Sequence, residues 1–163
     1  MRVKTNGLLS LAPSTAIMSA NTVVGLHPEL ESLLAYWFVK CGGRKFPMRA
    51  SLDDRTRWER NLALFDVLQY GALRVYECRA SAEDLAPRLG RAPIGLSTDE
   101  LAPEIRAELR ASFEQAWARK APHIAQARAP KGGRIVRYSD LVLPLSENGM
   151  NIDGMMLGSY PLG

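Results

Sequence analysis

Two histidines, two cysteines and two aspartate–tyrosine neighbourhoods are the places in this chain where residue type could support chemistry. His27 and His123 are the only imidazoles, and a lone imidazole is what haem ligation would need. His27 stands directly before Pro28 at a helix start, where capping or solvent contact accounts for it, and His123 opens a strand. Haem is not expected on that basis. Cys41 and Cys78 make no Cys-x-x-Cys pair and have no histidine at metal spacing. Neither a zinc site nor a disulfide framework follows, and a reducing cytoplasm suits them best.

Asp66 and Asp140 fall on strands with Tyr76 or Tyr138 and could imitate the carboxylate base of a small cone-shaped α+β isomerase or dehydratase. No Ser-His-Asp set, Cys-His pair, phosphate loop or metal cluster accompanies them, so the enzyme is kept as the alternative. Arg49, between Pro47 and Asp53, reads as a structural clamp that anchors the first helix against a sheet, with an anion or partner contact as its functional alternative. Phe65, Tyr76, Phe113, Trp117, Tyr138, Met155 and Met156 could converge between sheet and helices on a small apolar, colourless ligand. Ordinary core packing explains the same residues without a ligand and is the preferred reading.

These side chains must be positioned by regular elements. Leu30, Leu33, Leu34, Trp37 and Cys41 recur at helical spacing, so a helix is predicted over residues 28–41, opened by Pro28 and closed by Gly42 and Gly43. Phe38 widens its apolar face, which must be covered by a sheet or by a second copy. KFPMRASLDD reads as extended chain because of Pro47, and a short helical or turn segment follows at 53–59. Residues 61–80 read as a hairpin turning at Tyr70 and Gly71, with Arg74, Tyr76 and Cys78 on one face and Leu73, Val75 and Glu77 on the other. A short helix at 82–89 and a loop at 90–95 lead to a second long helix. Ser97 and Glu100 resemble its capping box, and Ile105, Leu109, Ser112, Phe113, Ala116 and Trp117 form its inner stripe. Three strands then follow, joined at Gly132-Gly133 and at Asn148-Gly149. The fold class is α+β: a five-stranded antiparallel sheet with helices on one face, preceded by an amphipathic helix.

Apolar residues make up 47% of the 163, enough for one compact domain, expected over residues 27–163. The net charge is +4, but basic residues are interspersed with glutamates and no run combines them with stacking aromatics, so no nucleic-acid partner is expected. Residues 1–26 read as a flexible leader, with Met18 as an alternative start, and no apolar run reaches membrane-spanning length.

The helix HPELESLLAYW, then PMRASLD, the hairpin LALFDVLQYGALRVYECRA and the loop GRAPIG resemble a family of small stand-alone bacterial PAS-like proteins. Tyr36, Trp37, Pro47, Arg49, Leu52, Asp53, Gly90, Arg91 and Gly95 occupy positions matching the family's helix, Pro-x-Arg element and Gly-Arg loop. Arg79-Ala80-Ser81 stands where the family has a Gly-Thr corner. The resemblance implies a PAS fold and a sensory or protein-interaction module of bacterial signal transduction rather than a catalyst. It leaves the ligand open, since PAS domains hold haem, flavin, small metabolites or nothing. Flavin photochemistry in the light-sensing subgroup needs a cysteine in an Asn-Cys-Arg motif, and neither Cys41 nor Cys78 lies in one, so flavin is not expected. In PAS-like proteins a helix preceding the sheet packs on its outer face or pairs with a partner's helix. Leu30, Leu34, Trp37 and Phe38 are therefore expected to form the contact of a homodimer or of a signalling partner.

Overall fold

The structure, a computed structural model, describes residues 25–163. The expected leader and the Met18 start thus lie outside the described residues, apart from the last two leader positions. Those two are anchored: Leu26 is buried, and the Ser139 hydroxyl donates to the Gly25 carbonyl at 2.8 Å.

Helix α1 spans Pro28–Cys41. The His27 ring nitrogen Nδ1 accepts from the Glu29 N–H at 3.0 Å, and Gly42 closes the helix at φ 57°, so capping is what His27 does here. Strand β1 spans Leu62–Tyr70 and β2 spans Leu73–Ser81. Helix α2 is a single turn, Ala86–Leu89, and α3 runs over Pro103–Arg119. Strands β3, β4 and β5 cover His123–Lys131, Arg134–Leu145 and Gly154–Pro161. The sheet order is β2-β1-β5-β4-β3, with every neighbouring pair antiparallel. This is the α+β architecture expected from the sequence. Among the described residues no helix is long and apolar enough to cross a membrane.

Leu141–Leu145 on β4 and Met155–Leu157 on β5 are buried without interruption, the signature of strands covered on both faces. On the inner face, α2 and α3 lie over Ala63, Phe65, Tyr76, Cys78, Val142, Met155 and Leu157. On the outer face, α1 and the segment around Phe46, Leu52 and Trp58 lie over Leu62, Leu141, Leu143, Leu145 and Met156. Gly158 makes that second packing close: a Cβ there would meet Leu30 Cδ2 at 2.8 Å and Leu33 Cδ2 at 3.0 Å.

The α1 stripe is therefore spent inside the molecule. Leu30 and Trp37, expected at a partner interface, are buried against the chain's own sheet, and Trp37 Nε1 donates to the Pro144 carbonyl at 2.8 Å. Leu34 is half-buried against the same cluster, and only Phe38, 47% exposed, still faces outward with its neighbour Val39. Intramolecular burial prevails because β4 and β5 present an apolar face that α1 and the Phe46, Leu52 and Trp58 segment cover together.

Three local expectations also change. Arg49 opens a three-ten turn, Arg49–Ser51, closed by the Ser51 hydroxyl on the Met48 carbonyl at 2.7 Å, rather than lying in extended chain. Ser97 and Glu100 do form a capping box, but it caps the three-ten turn Thr98–Glu100; α3 starts later, with Pro103 at its first position. Asn148 does not close a two-residue hairpin. Its side chain accepts from the Met150 and Asn151 N–H groups at 2.8 and 3.0 Å and shapes a longer loop before β5.

Replacing Trp37 with Ala is expected to cost about 3–5 kcal/mol, because it opens a cavity under α1 and leaves the Pro144 carbonyl unpaired. Phe38→Ala should stay within about 0.5 kcal/mol. Urea denaturation midpoints of the two variants check the contrast.

Candidate functional site

A charged cluster lies within the inner-face core. After the three-ten turn Glu83–Leu85, Pro87 and Gly90 confine α2 to one turn, and Leu85 and Leu89 seat it on the sheet. Arg88, between them, is carried inward and is 2% exposed, facing Asp140 at 3%. Its Nη1 donates to Asp140 Oδ1 at 2.5 Å and to Ser159 Oγ at 2.7 Å, and Ser159 Oγ donates to the same carboxylate oxygen at 2.6 Å. The guanidinium also lies 5.4 Å from the Tyr138 ring centre. Arg88 Nε and the Tyr138 hydroxyl are buried and have no hydrogen-bond partner among the described residues. Both can donate, so the cluster offers two uncommitted donors to an acceptor oxygen. Burial pushes the Tyr138 phenol above its ordinary pKa.

A second network ties α3 to β2. Arg74 grips Glu114 with two bonds, at 2.8 and 3.2 Å, and the Tyr76 hydroxyl donates to Glu114 Oε2 at 2.5 Å. The Arg74 guanidinium lies 3.7 Å from the Trp117 ring centre. The Arg74 hydrogen bonds hold the Glu114 carboxyl below its ordinary pKa, partial burial opposing them. Burial first, and the hydrogen bond to Glu114 second, push the Tyr76 phenol upward.

On the outer face Arg49 is a clamp. It donates to Asp66 Oδ1 at 3.0 Å, to Asp153 Oδ1 at 3.2 Å and to the Asp153 carbonyl at 2.6 Å. A Cβ at Gly154 would run into this guanidinium. Arg79 pairs with the other Asp66 oxygen. The ion pair and carbonyl contact anticipated for Arg49 are present, but they fasten the segment after α1 to β1 and to the loop before β5, not α1 itself.

The seven apolar pocket candidates do not surround one space. Phe65, Tyr76, Phe113 and Met155 pack on each other in the inner core, with ring centres of Phe65 and Tyr76 at 4.8 and 5.2 Å from Phe113. Trp117 sits at the rim of that cluster, Tyr138 lies beside Arg88, and Met156 points to the opposite face under α1. Strand alternation is the reason: Met155 and Met156 are neighbours in sequence and cannot share a face. The roomier clefts are at the surface. One of about 570 Å³ is lined by mixed charges, Arg55, Glu59, Arg60, Glu83 and Asp84 among them, and one of about 250 Å³ by Phe46, Trp117, Met150 and neighbours.

The histidines are separated by the sheet. His27 stacks on Tyr160 at 4.6 Å on the outer side, while His123 pairs in register with inner-facing Val142. Burial, then Arg119, lowers the His123 pKa. Burial raises both Cys41 and Cys78 to about 11, so neither is a thiolate near neutral pH.

Arg88, Ser159 and Glu114 were absent from the sequence reading. The signal for Arg88 was available in LAPRLG, an arginine bracketed by leucines in a single helical turn. Nothing local marks Ser159 or Glu114 as partners, since each bond spans tens of residues.

No family model matches the chain, and none of the curated proteins does. Among solved structures it is similar to the Rhodobacter sphaeroides LOV protein at 14% identity and TM-score 0.45, covering 67% of this chain and 64% of that one. It is also similar to the sensory box sensor histidine kinase of Vibrio cholerae at 18% identity and TM-score 0.43, over 64% and 82%. The PAS domain of Bordetella pertussis BvgS aligns at 11% identity and TM-score 0.40, over 83% and 86%.

Two outcomes follow from the site. Arg88→Met strands Asp140 and is expected to cost about 3–5 kcal/mol, whereas the double variant Arg88→Met/Asp140→Leu should recover most of it; equilibrium denaturation of the set measures the coupling. His123, depressed below its ordinary 6.5, favours the folded state above that pH and loses this contribution as pH falls through its folded-state value. The melting temperature should therefore drop as pH is lowered below 6.5, and His123→Gln should remove that part of the drop, as scanning calorimetry across the range would read.

Proposed function

We propose that this chain is a non-enzymatic, PAS-type sensory or docking module of a bacterial signalling or regulatory system, working in the cytoplasm. The observation that carries the reading is the fate of the two carboxylates that an isomerase or dehydratase would need. A general base must reach its substrate. Asp66 is turned to the outer face with both oxygens held, by Arg49 and Arg79, and Asp140, 3% exposed, is shut into the core with Oδ1 held by Arg88 and Ser159. The tyrosines suggested as their helpers are not bonded to them: Tyr76 serves Glu114, and the Tyr138 hydroxyl reaches no described group.

Flavin does not enter this reading. The inner core, where a planar ring system would have to lie, is filled by Phe65, Tyr76, Phe113 and Met155, all within 1% of full burial. Where a colourless ligand does enter the reading, Arg88 Nε and the Tyr138 hydroxyl ask for an acceptor oxygen, so a purely hydrocarbon ligand gives way to a polar one. The signal would then act through α2, whose one turn carries Arg88. Partner contact, by a second copy or a signalling protein, would use Phe38 and Val39, the apolar residues that α1 still exposes.

Native mass spectrometry and a visible spectrum of protein purified without refolding test this. The expected species is the bare 18.0 kDa chain, its dimer, or either with a small colourless addition that Arg88→Met loses. A bound chromophore would overturn the colourless ligand, and turnover of an isomerase or dehydratase substrate that Asp140→Asn abolishes would replace the proposal by the enzyme.

A further inference from the structure

The β3–β4 hairpin collects a charge that the chain's total conceals. Six basic residues and no acidic one lie between Glu114 and Asp140, although the whole chain carries only +4. Four of them, Arg128, Lys131, Arg134 and Arg137, are exposed on the far half of the hairpin. The register sets Arg128 directly opposite Arg137 and Lys131 directly opposite Arg134. None of the four has a carboxylate partner among the described residues, and residues 1–24 contain no Asp or Glu that could supply one.

Like charges directly opposite each other destabilise a strand pair. Protecting a free edge needs a charge on that edge, not an identical charge facing it. We infer that this projecting ribbon docks on the phosphate backbone of double-stranded nucleic acid.

Shape selects that polyanion. Pairing of β4 with β5 stops at Tyr138 opposite Pro161, so residues beyond it form a two-stranded ribbon with no third strand among the described residues. Alternation puts Arg128 and Arg137 on the side that Ser139 shares with α1, and Lys131 and Arg134 on the side that Tyr138 shares with α2. A flat lipid surface meets such a ribbon from one side and so engages only one of its two basic pairs. A nucleic-acid groove places phosphates on both sides of an inserted ribbon, and the major groove, about 12 Å wide, admits one. The tip, Gly132 and Gly133 at φ 59° and 76°, has no side chain to obstruct approach. Between Ala127 and Tyr138 every charged side chain is an Arg or a Lys, the residues that phosphate contacts use to position a protein on a duplex. The expectation of no nucleic-acid partner rested on dispersed basic residues; pairing across the hairpin gathers them.

Fluorescence anisotropy with a labelled random-sequence DNA duplex tests the inference on the full chain. Four phosphate contacts predict a Kd of about 10–100 μM at low salt and a loss of about 150-fold between 50 and 200 mM salt. Arg128→Gln with Arg137→Gln should reduce that loss to about 12-fold, while melting no lower than the parent because it removes opposed charges. Lys45→Gln with Arg55→Gln, which removes equal charge elsewhere, should keep the parent's salt dependence. Absence of binding at low salt, an unchanged salt dependence in the hairpin variant, or an equal fall in the control variant would overturn the inference. Tighter binding to phosphatidylserine vesicles than to the duplex would overturn it in favour of a membrane.

Discussion

A sheet whose central strands are apolar on both faces must be covered twice, and most of this structure follows from that requirement. β4 and β5 bury consecutive residues from Leu141 to Leu145 and from Gly154 to Ser159, so neither face can be left to water. Helices α2 and α3 supply one cover. The other is α1 with Phe46, Leu52 and Trp58, drawn close by the missing side chain at Gly158 and pinned by the Trp37 bond to Pro144. An amphipathic helix at the start of such a chain looks available for a partner when read alone. Its stripe is consumed because the alternative would expose Leu141, Leu143, Leu145 and Met156 together.

The covers are fastened by arginines, and each one also settles the chemistry of a carboxylate. Arg74 ties α3 to β2 through Glu114, Arg88 ties α2 to β4 and β5 through Asp140 and Ser159, and Arg49 ties the segment after α1 to β1 and the β5 loop. A charge taken from water must be met by an opposite charge or by hydrogen bonds, and once so met it is a poor base. The pairing makes burial of Asp140 tolerable, and that burial keeps a substrate from its carboxylate. Arg88 Nε is left without a hydrogen-bond partner among the described residues, as is the Tyr138 hydroxyl beside it, and an unpaired polar atom is costly in a medium of low polarity. Arg128, Lys131, Arg134 and Arg137, without a carboxylate partner among the described residues, sit together at the hairpin end, where water solvates them.

Local pattern carried far along this chain. The bounds of α1, the turn at Gly71, the faces of β2 and the Gly132-Gly133 turn are all legible because each depends on residues within a few positions of one another: a proline and two glycines, an alternation, a positive φ. The start of α3 was misplaced for the same kind of reason, since a capping box marks any helical turn and here marks a three-ten turn before Pro103.

What the sequence alone determined is which residues are apolar and at what period, and hence an α+β chain with five antiparallel strands and two amphipathic helices. Only the tertiary structure decided which face each helix covers, that Met155 and Met156 serve different cores, that Asp66 belongs to Arg49 and Asp140 to Arg88, and that Arg128 faces Arg137. Periodicity is a property of neighbours along the chain, whereas these pairings join residues brought together by strand order and register, which burial of the whole sheet selects at once.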